Sequence, residues 1–548
     1  MRGWDATISC YTCRMPPSGR TNLLSATSDS LKDLSGLLRQ FLTSHFARST
    51  LIVAVFFGLE KLLGFVRQVI IARQFGLSAT LDAFNAANNL PDLLFALISG
   101  GALGLAFIPV LTETLQKEDR QAAWQLFSRI ANLVFLVTAG IAMILAIFAT
   151  PLVHRVVTPG FSLQQQHLVA NIMRLDLIAT IIFSLAGLVI AGLQANQHFL
   201  LPAIAPSMYD LGMLFGVIIL APETGYQVGP FTLPSFGMGV YGLVYGSIIG
   251  AIMFLLIQLP GLVRYKFHWS PSINLHNLAV RKVLSLMGPR VLTVFFIQLI
   301  FIATDNIASW LAPGSVSSIV YGWLFMQVPE TLVGTAIGTV LLPTISEQVA
   351  HEQQDAFHQS LNRAARIILA LTIPAAVLVS VVIRPLVGLL GFDAAGTEMV
   401  VWVTRGFLFG LMGSSLIEVG SRAFYAQQNA LVPLGASFIT LLTFVVLAIG
   451  LGYKLGAPGI ALANGLAFTG EAILLWYLLN RKYPGVARVG STLQRVIPVA
   501  ILCGLLVFIL LKLPVQGSSF FFGVVALAIG GLLALPFILP ELKLLAKM

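Results

Sequence analysis

The chain has 548 residues, 57% hydrophobic and only 10% charged, with a formal net charge of +10 and a mean hydropathy of +0.90. A soluble domain carries about 25% charged residues, so this composition excludes a water-coated globule. The positive balance does not call for nucleic acid, because loop cations facing anionic lipid account for it.

Residues 1–50 form a tail on the cytoplasmic side. Its first thirty positions are polar, rich in Ser, Thr, Gly and Pro, and without periodicity, so no fixed structure is expected. No basic region leads into a short apolar core with a small-residue cleavage site, so no signal peptide is read. Cys10 and Cys13 make one CxxC with neither a second pair nor a nearby histidine. Neither a metal site nor a structural disulfide is expected from it. Residues 31–46 differ: Leu31, Leu34, Leu37, Leu38, Phe41, Leu42 and Phe46 recur at helical spacing, with Lys32 and Arg39 off that face. This predicts an amphipathic helix lying on the inner leaflet, with Ser30 as its cap.

From there the apolar residues come in blocks long enough to cross roughly 30 Å of hydrocarbon at about 1.5 Å per residue. Lipid offers no partner to backbone N–H and C=O groups, so the blocks must be helices. The expected spans are 51–75, 85–112, 130–155, 167–193, 199–220, 236–263, 282–308, 316–344, 362–387, 398–424, 430–452, 458–480, 494–513 and 519–538. The fold class is thus an all-α polytopic membrane protein of about 14 transmembrane helices. Cys503 falls inside an apolar span and reads as packing. With both termini inside, the inner connections hold Lys117, Arg120, Arg129, Arg264, Lys266, Arg281, Lys282, Arg363, Arg481, Lys482, Arg488, Arg495, Lys543 and Lys547. The outer ones hold Arg155, Arg384, Lys454 and Lys512. That bias predicts an N-in/C-in orientation.

The second half of the core echoes the first. AlaAsnGlnHisPheLeuLeuPro at 195–202 parallels AlaGlnGlnAsnAlaLeuValPro at 426–433, and each long helix that follows leads to a small-residue helix, near Gly242 and Gly459. AsnAsnLeuProAspLeuLeu (88–94) parallels MetGlnValProGluThrLeu (326–332). Six spans per copy return the chain to the same side, so the repeats are parallel about an axis along the membrane normal. This gives an N-lobe over 51–263, a C-lobe over 282–480 and a trailing helix pair over 494–538. Two such lobes suit a transporter that rocks about a site between them. Pro91 and Pro329, one per copy, are candidate hinges, and Gly100 and Gly101 loosen the same helix as Pro91.

Ionisable residues at membrane depth are costly and point to function by default. Glu60, Lys61 and Arg67 lie in the first span, Asp82, Asn85, Asn88, Asn89 and Asp92 in and before the second. Arg174 and Asp176 follow in the fourth, Arg290, Gln298, Asp305 and Asn306 in the seventh, Gln327 and Glu330 in the eighth, and Arg405, Glu418 and Arg422 in the tenth. Lys61, Arg67 and Arg290 would make a cationic, hydrated cavity for an anionic head group, Arg offering a fork to phosphate oxygens. The competing reading is pairing within the bundle, as for Glu418 and Arg422 at i,i+4. No phosphate-cradling P-loop, HExxH or Asp-rich magnesium motif is present, so no catalytic residue and no enzyme is read.

LeuLeuGlyPheValArgGlnValIleIleAlaArgGlnPheGly (62–76), LeuAspAlaPheAsnAlaAlaAsnAsnLeuProAspLeuLeu (81–94) and GlyAlaLeuGlyLeuAlaPheIleProValLeu (101–111) resemble the opening of MviN/MurJ proteins. GlySerValSerSerIleValTyrGly (314–322), GlyThrAlaIleGlyThrValLeuLeuProThrIleSer (334–346) and SerArgAlaPheTyrAlaGlnGlnAsn (421–429) continue the likeness, from about residue 50 to 540. The resemblance implies a fold of the multidrug/oligosaccharidyl-lipid/polysaccharide (MOP, MATE-like) exporter superfamily in the bacterial inner membrane. It implies flipping of lipid II, the polyprenyl-pyrophosphate-linked peptidoglycan precursor, by alternating access, for cell wall biogenesis and cell shape. It places Arg67 and Asp82 at family positions regarded as functional and Asp305 as the candidate for a coupling cation, Na+ or H+. Lys61, Asn89, Arg290 and Gln327, read from their polarity at membrane depth, join Arg67 and Asp82 as substrate-binding candidates. No other cofactor and no resident metal are expected, and the chain is taken as a monomer independently of the resemblance. The chain departs from the family pattern where Glu60-Lys61 replaces Ser-Arg. An arginine pair falls on Phe95 and Ala96, an acid on Gly100, and an arginine and an acid on Leu324 and Gln327. These departures leave two alternatives open: an exporter of another lipid-linked oligosaccharide or small molecule, or a non-transporting envelope-assembly homologue with a degenerate site.

Overall fold

The computed structural model describes residues 45–98, 102–513 and 519–545. It divides into two compact units, Met1–Phe57 and Gly58–Met548. Of the first unit only 45–57 are described, as the opening of helix α1 (His45–Phe75). Cys10, Cys13, the amphipathic segment 31–46 as far as residue 44, and Gly100 and Gly101 lie outside the described residues.

Among the described residues, twelve helices are long and apolar enough to cross a membrane. The other two expected spans are helical as well. The span 51–75 lies within α1, and the described part of 85–112 falls in α2 (Ala79–Ala87), α3 (Asn89–Ile98) and α4 (Ala102–Lys117), with a break at Asn88 between α2 and α3. That break follows local chemistry. Pro91, in the first turn of α3, has no N–H to continue the ladder, and the chain breaks at Asn88, just before it. The N-lobe continues with α5 (Arg120–Ile147), capped by Asp119, α6 (Leu163–Ala195), opened by a Ser162–Gln165 capping box, α7 (Leu200–Phe215) and α8 (Val240–Leu256). A small antiparallel hairpin, Gln227↔Thr232, sits between α7 and α8 and was not expected.

The C-lobe comprises α9 (Leu278–Ala308), α10 (Ser315–Glu330), α11 (Ala336–Ala350), α12 (Gln354–Gly388), α13 (Ala394–Phe409), α14 (Leu411–Ala426), α15 (Leu431–Leu455) and α16 (Ala457–Lys482). Between α10 and α11 the eighth expected span passes through one π turn, Thr331–Thr335, directly after Pro329. A π turn after proline is a recognised cause of a helix bend. The trailing pair, α17 (Gly490–Leu511) and α18 (Ser519–Leu545), packs on α12. Fully buried Glu541 fastens it, meeting Arg366 at 3.1 Å, Thr492 at 3.2 Å and also Arg495.

The internal repeat is written into the backbone. After α6, Gln197 takes φ 58° and His198 N–H returns to Leu193 O. After α14, Gln428 takes φ 56° and Asn429 N–H returns to Phe424 O, the same helix-ending turn at the matching site. Gly239 and Gly456 open α8 and α16 with φ 56°, ψ −133° and φ 67°, ψ −147°. Small residues then allow close helix contact, as lipid-embedded bundles require. A Cβ on Gly212 would collide with Gly250 Cα, so α7 and α8 touch through their backbones.

Candidate functional site

Four connections, near residues 76–78, 158–162, 309–314 and 389–393, share one membrane side, called here the far side. The connections at 118–119 and 265–277 lie on the tail side. At the far side the lobes are bonded together. Asp82, 1% exposed on α2, accepts from Gly314 N–H at 2.6 Å, Ser317 N–H at 2.7 Å and Ser317 Oγ at 2.6 Å. Those donors include free N–H groups at the start of α10, so an N-lobe carboxylate caps a C-lobe helix. Gly314 has φ 88°, and a Cβ there would meet Leu77 at 2.8 Å, so glycine lets the two lobes close. Asn85 donates to Ser317 Oγ, Arg73 to Leu389 O, Asn306 to Val156 O, and Gly160 N–H to Ser309 Oγ.

Behind this seal lies a cavity of about 600 Å³. Arg67, Asn85, Asn88, Asn89, Asp92 and Tyr209 line it from the N-lobe, and Gln298, Asp305, Tyr321, Phe407 and Asn464 from the C-lobe. Asn89 Nδ2 donates to Asp305 Oδ2 across it at 2.6 Å. Arg67 Nη1 reaches Asp210 Oδ1 at 2.7 Å, and its guanidinium carbon lies 5.4 Å from the Tyr209 ring centre.

The structure thus brings together Arg67, Asn89 and Asp305 and separates the rest. Asp82 is not in the cavity but in the far-side seal, because its oxygens are taken by α10. Lys61 is 75% exposed and beside Glu60 at 3.4 Å, outside the cavity. Gln327 is exposed and also outside it. Arg290 lies within α9, but its side chain is outside the described residues. Among the described lining residues the ionisable groups are one arginine, Arg67, and two aspartates, Asp92 and Asp305, so of the expected cations Lys61 lies outside the cavity, Arg67 lines it, and the side chain of Arg290 is outside the described residues. Glu418 and Arg422 pair at 2.6 Å, and the guanidinium occupies the space a Cβ on Gly338 would need.

Sequence reasoning passed over Asp210 and Glu471. Both are acids deep in apolar helices, so the cost of an intramembrane charge was the available signal. Glu471 accepts from Ser437 at 3.0 Å within the C-lobe. On the tail side, Glu113 of α4 meets Lys117 and Lys282, each at 2.8 Å, tying α4 to the start of α9. Asn132 and Ser128 of α5 pin the connection between the lobes: Asn132 Nδ2 donates to Ser270 O and Ser272 O, and Ser128 Oγ accepts from Ser270 N–H.

The profile of the family described as lipid II flippase MurJ matches residues 71–527. A lipid II flippase MurJ of Burkholderia cenocepacia is 30% identical over 452 residues, 79% of this chain and 84% of that one. A probable lipid II flippase MurJ of Vibrio cholerae is 26% identical over 440 residues, 78% of this chain and 82% of the other. Among solved structures, a lipid II flippase MurJ in an inward closed conformation superposes with TM-score 0.72 at 22% identity, covering 89% of this chain and 98% of that one. An inward-facing multidrug resistance MATE transporter of the MOP superfamily does so with TM-score 0.65 at 13% identity, over 79% and 96%. At those identities the structural matches speak to fold, and the match of profile and sequence speaks to descent: the chain belongs to the lipid II flippase MurJ family.

Proposed function

We propose that the chain is a flippase, not an enzyme, that carries a lipid-linked, pyrophosphate-bearing cell-wall precursor of the lipid II type across the bacterial inner membrane for peptidoglycan synthesis. The observation that carries this reading is the polar cavity between two repeated lobes, bonded shut on the far side through Asp82. Alternating access needs such a seal on one side and a matching release on the other. With the chain oriented N-in/C-in, on the bias of its loop cations, the far side is the outer face and the geometry is the inward-facing arm of the cycle. Arg67 is the cavity group for the pyrophosphate, and Asn89 orients the site. Asp305, held by Asn89, is the residue proposed to take a coupling cation, Na+ or H+. Pro91 and Pro329 let α2–α4 and α10–α11 bend as the lobes rock.

A second reading, export of another lipid-linked oligosaccharide, is favoured by one observation: Arg67 is the one cation among the described cavity residues. Complementation of a strain depleted of its lipid II flippase separates the two. Growth with normal shape supports lipid II as cargo. Lysis, with the protein present in the membrane at normal level, rejects it.

A further inference from the structure

Arg67 does not meet the cavity as a free cation. Its Nη1 donates to Asp210 Oδ1 at 2.7 Å, with the Asp210 side chain only 5% accessible and that of Arg67 17%. The contact uses one nitrogen of the guanidinium. Nε is buried without a hydrogen-bond partner, so the fork that suits a carboxylate or phosphate in two-point contact is left half used. Asp210 also lies against the α1 backbone: a Cβ on Gly64, about one turn before Arg67, would sit 3.6 Å from its Oδ2. Tyr209, the preceding residue, presents its ring to the same guanidinium. Toward the tail side α1 is only partly covered, with Leu59 and Leu62 at least 40% accessible and Phe56, Leu63 and Phe65 half-buried. The pair with α7 therefore fixes where α1 places its arginine.

A buried ion pair made only for stability gains by completing both contacts, since half-satisfied charges are costly away from water. Here the guanidinium stops short of that and lines the cavity. We propose that Asp210 is a positioning residue for Arg67, a resident carboxylate that holds the guanidinium toward the cavity, competes with the cargo's diphosphate for it, and reclaims it at release. Asp210 thereby sets the balance between head-group capture and discharge. The inference rests on the flippase reading, with Arg67 as the diphosphate group.

The test uses the full-length protein in lipid nanodiscs and proteoliposomes, with lipid II as the probe and both equilibrium binding and flipping rate as readouts. Asp210→Asn removes the competing charge. Affinity for lipid II is then expected to rise roughly tenfold, the scale of one charge-assisted contact, while maximal flipping falls because release slows. Asp210→Glu, which restores the carboxylate, returns both quantities toward wild type. In an Arg67→Ala background, Asp210→Asn changes neither. Should Asp210→Asn fail to insert, Asp210→Ser removes the charge with a smaller polar group and carries the same expectation. Opposite movement of affinity and rate supports the proposal, because a purely structural role lowers both together. Wild type that binds lipid II while the uncharged variants bind it equally or more weakly overturns this inference alone. Wild type that binds no lipid II overturns the flippase reading and this inference with it.

Discussion

Asp82→Asn perturbs the far-side seal with almost no change in shape. The carboxylate now serves Gly314 N–H through one oxygen and both Ser317 groups through the other. An asparagine keeps one oxygen and turns an NH2 toward the remaining donors, so at least one charge-assisted bond is lost, about 1.5–3 kcal/mol. The favourable interaction with the α10 N-terminus, about 0.3–1 kcal/mol, weakens as well. The sum is roughly 2–4 kcal/mol. These bonds join the two lobes and exist only while the far side is shut, so the loss falls on the closed state. It shifts the ratio of closed to open by roughly 30- to 700-fold. The assay is labelling of Val320→Cys, a cavity position, by a membrane-impermeant maleimide from outside, in a chain lacking Cys10, Cys13 and Cys503. Labelling should accelerate by that factor until the open state dominates, and Ser317→Ala should show a smaller effect. Unchanged labelling in an Asp82→Asn protein that inserts normally would refute the assignment of Asp82 to the seal.

Gly338→Val should expel the Arg422 guanidinium and break its pair with Glu418, since a guanidinium nitrogen stands where the new Cβ must go; a lowered melting temperature, with Gly338→Ala intermediate, checks this. Gly212→Val drives a side chain into the Gly250 backbone, and overpacking costs about 1–3 kcal/mol or more. It should lower thermal stability sharply, and a wild-type melting curve would contradict the close α7–α8 contact. Asn132→Ala removes two bonds to the inter-lobe connection and the acceptor for Trp269 Nε1, together roughly 1–3 kcal/mol at a partly exposed site. Proteolysis within 266–277 should quicken, and equal cleavage rates would show that Asn132 does not hold that segment.

The helices were legible because lipid removes every alternative for the backbone, so block length alone places them. The repeat was legible too, because the paired sequences at 195–202 and 426–433 fold into the same left-handed turn at Gln197 and Gln428. The break of the second span at Asn88 was not drawn, although Pro91 carried the signal for it.

The site was less legible, because it depends on which helices meet. Asp82 reads as a cargo residue because it matches a family position regarded as functional, and only the approach of α10 shows its oxygens taken by Gly314 and Ser317. Arg67 was found from its depth, but its partner lies 143 positions away on α7, a separation that spacing within one helix cannot reveal. Lys61 shares a helix with Arg67 yet lies outside the cavity, since a few residues' offset turns a side chain to another face.

Transport of lipid II through this cavity is the central claim. Its most direct test is the movement of lipid II between leaflets of proteoliposomes containing the purified chain, followed by the accessibility of the head group to an external reagent. Flipping by wild type, and its loss in Arg67→Ala at equal incorporation, is the expected result. Lipid II that stays in its leaflet with wild type, or flips equally well with Arg67→Ala, would contradict it.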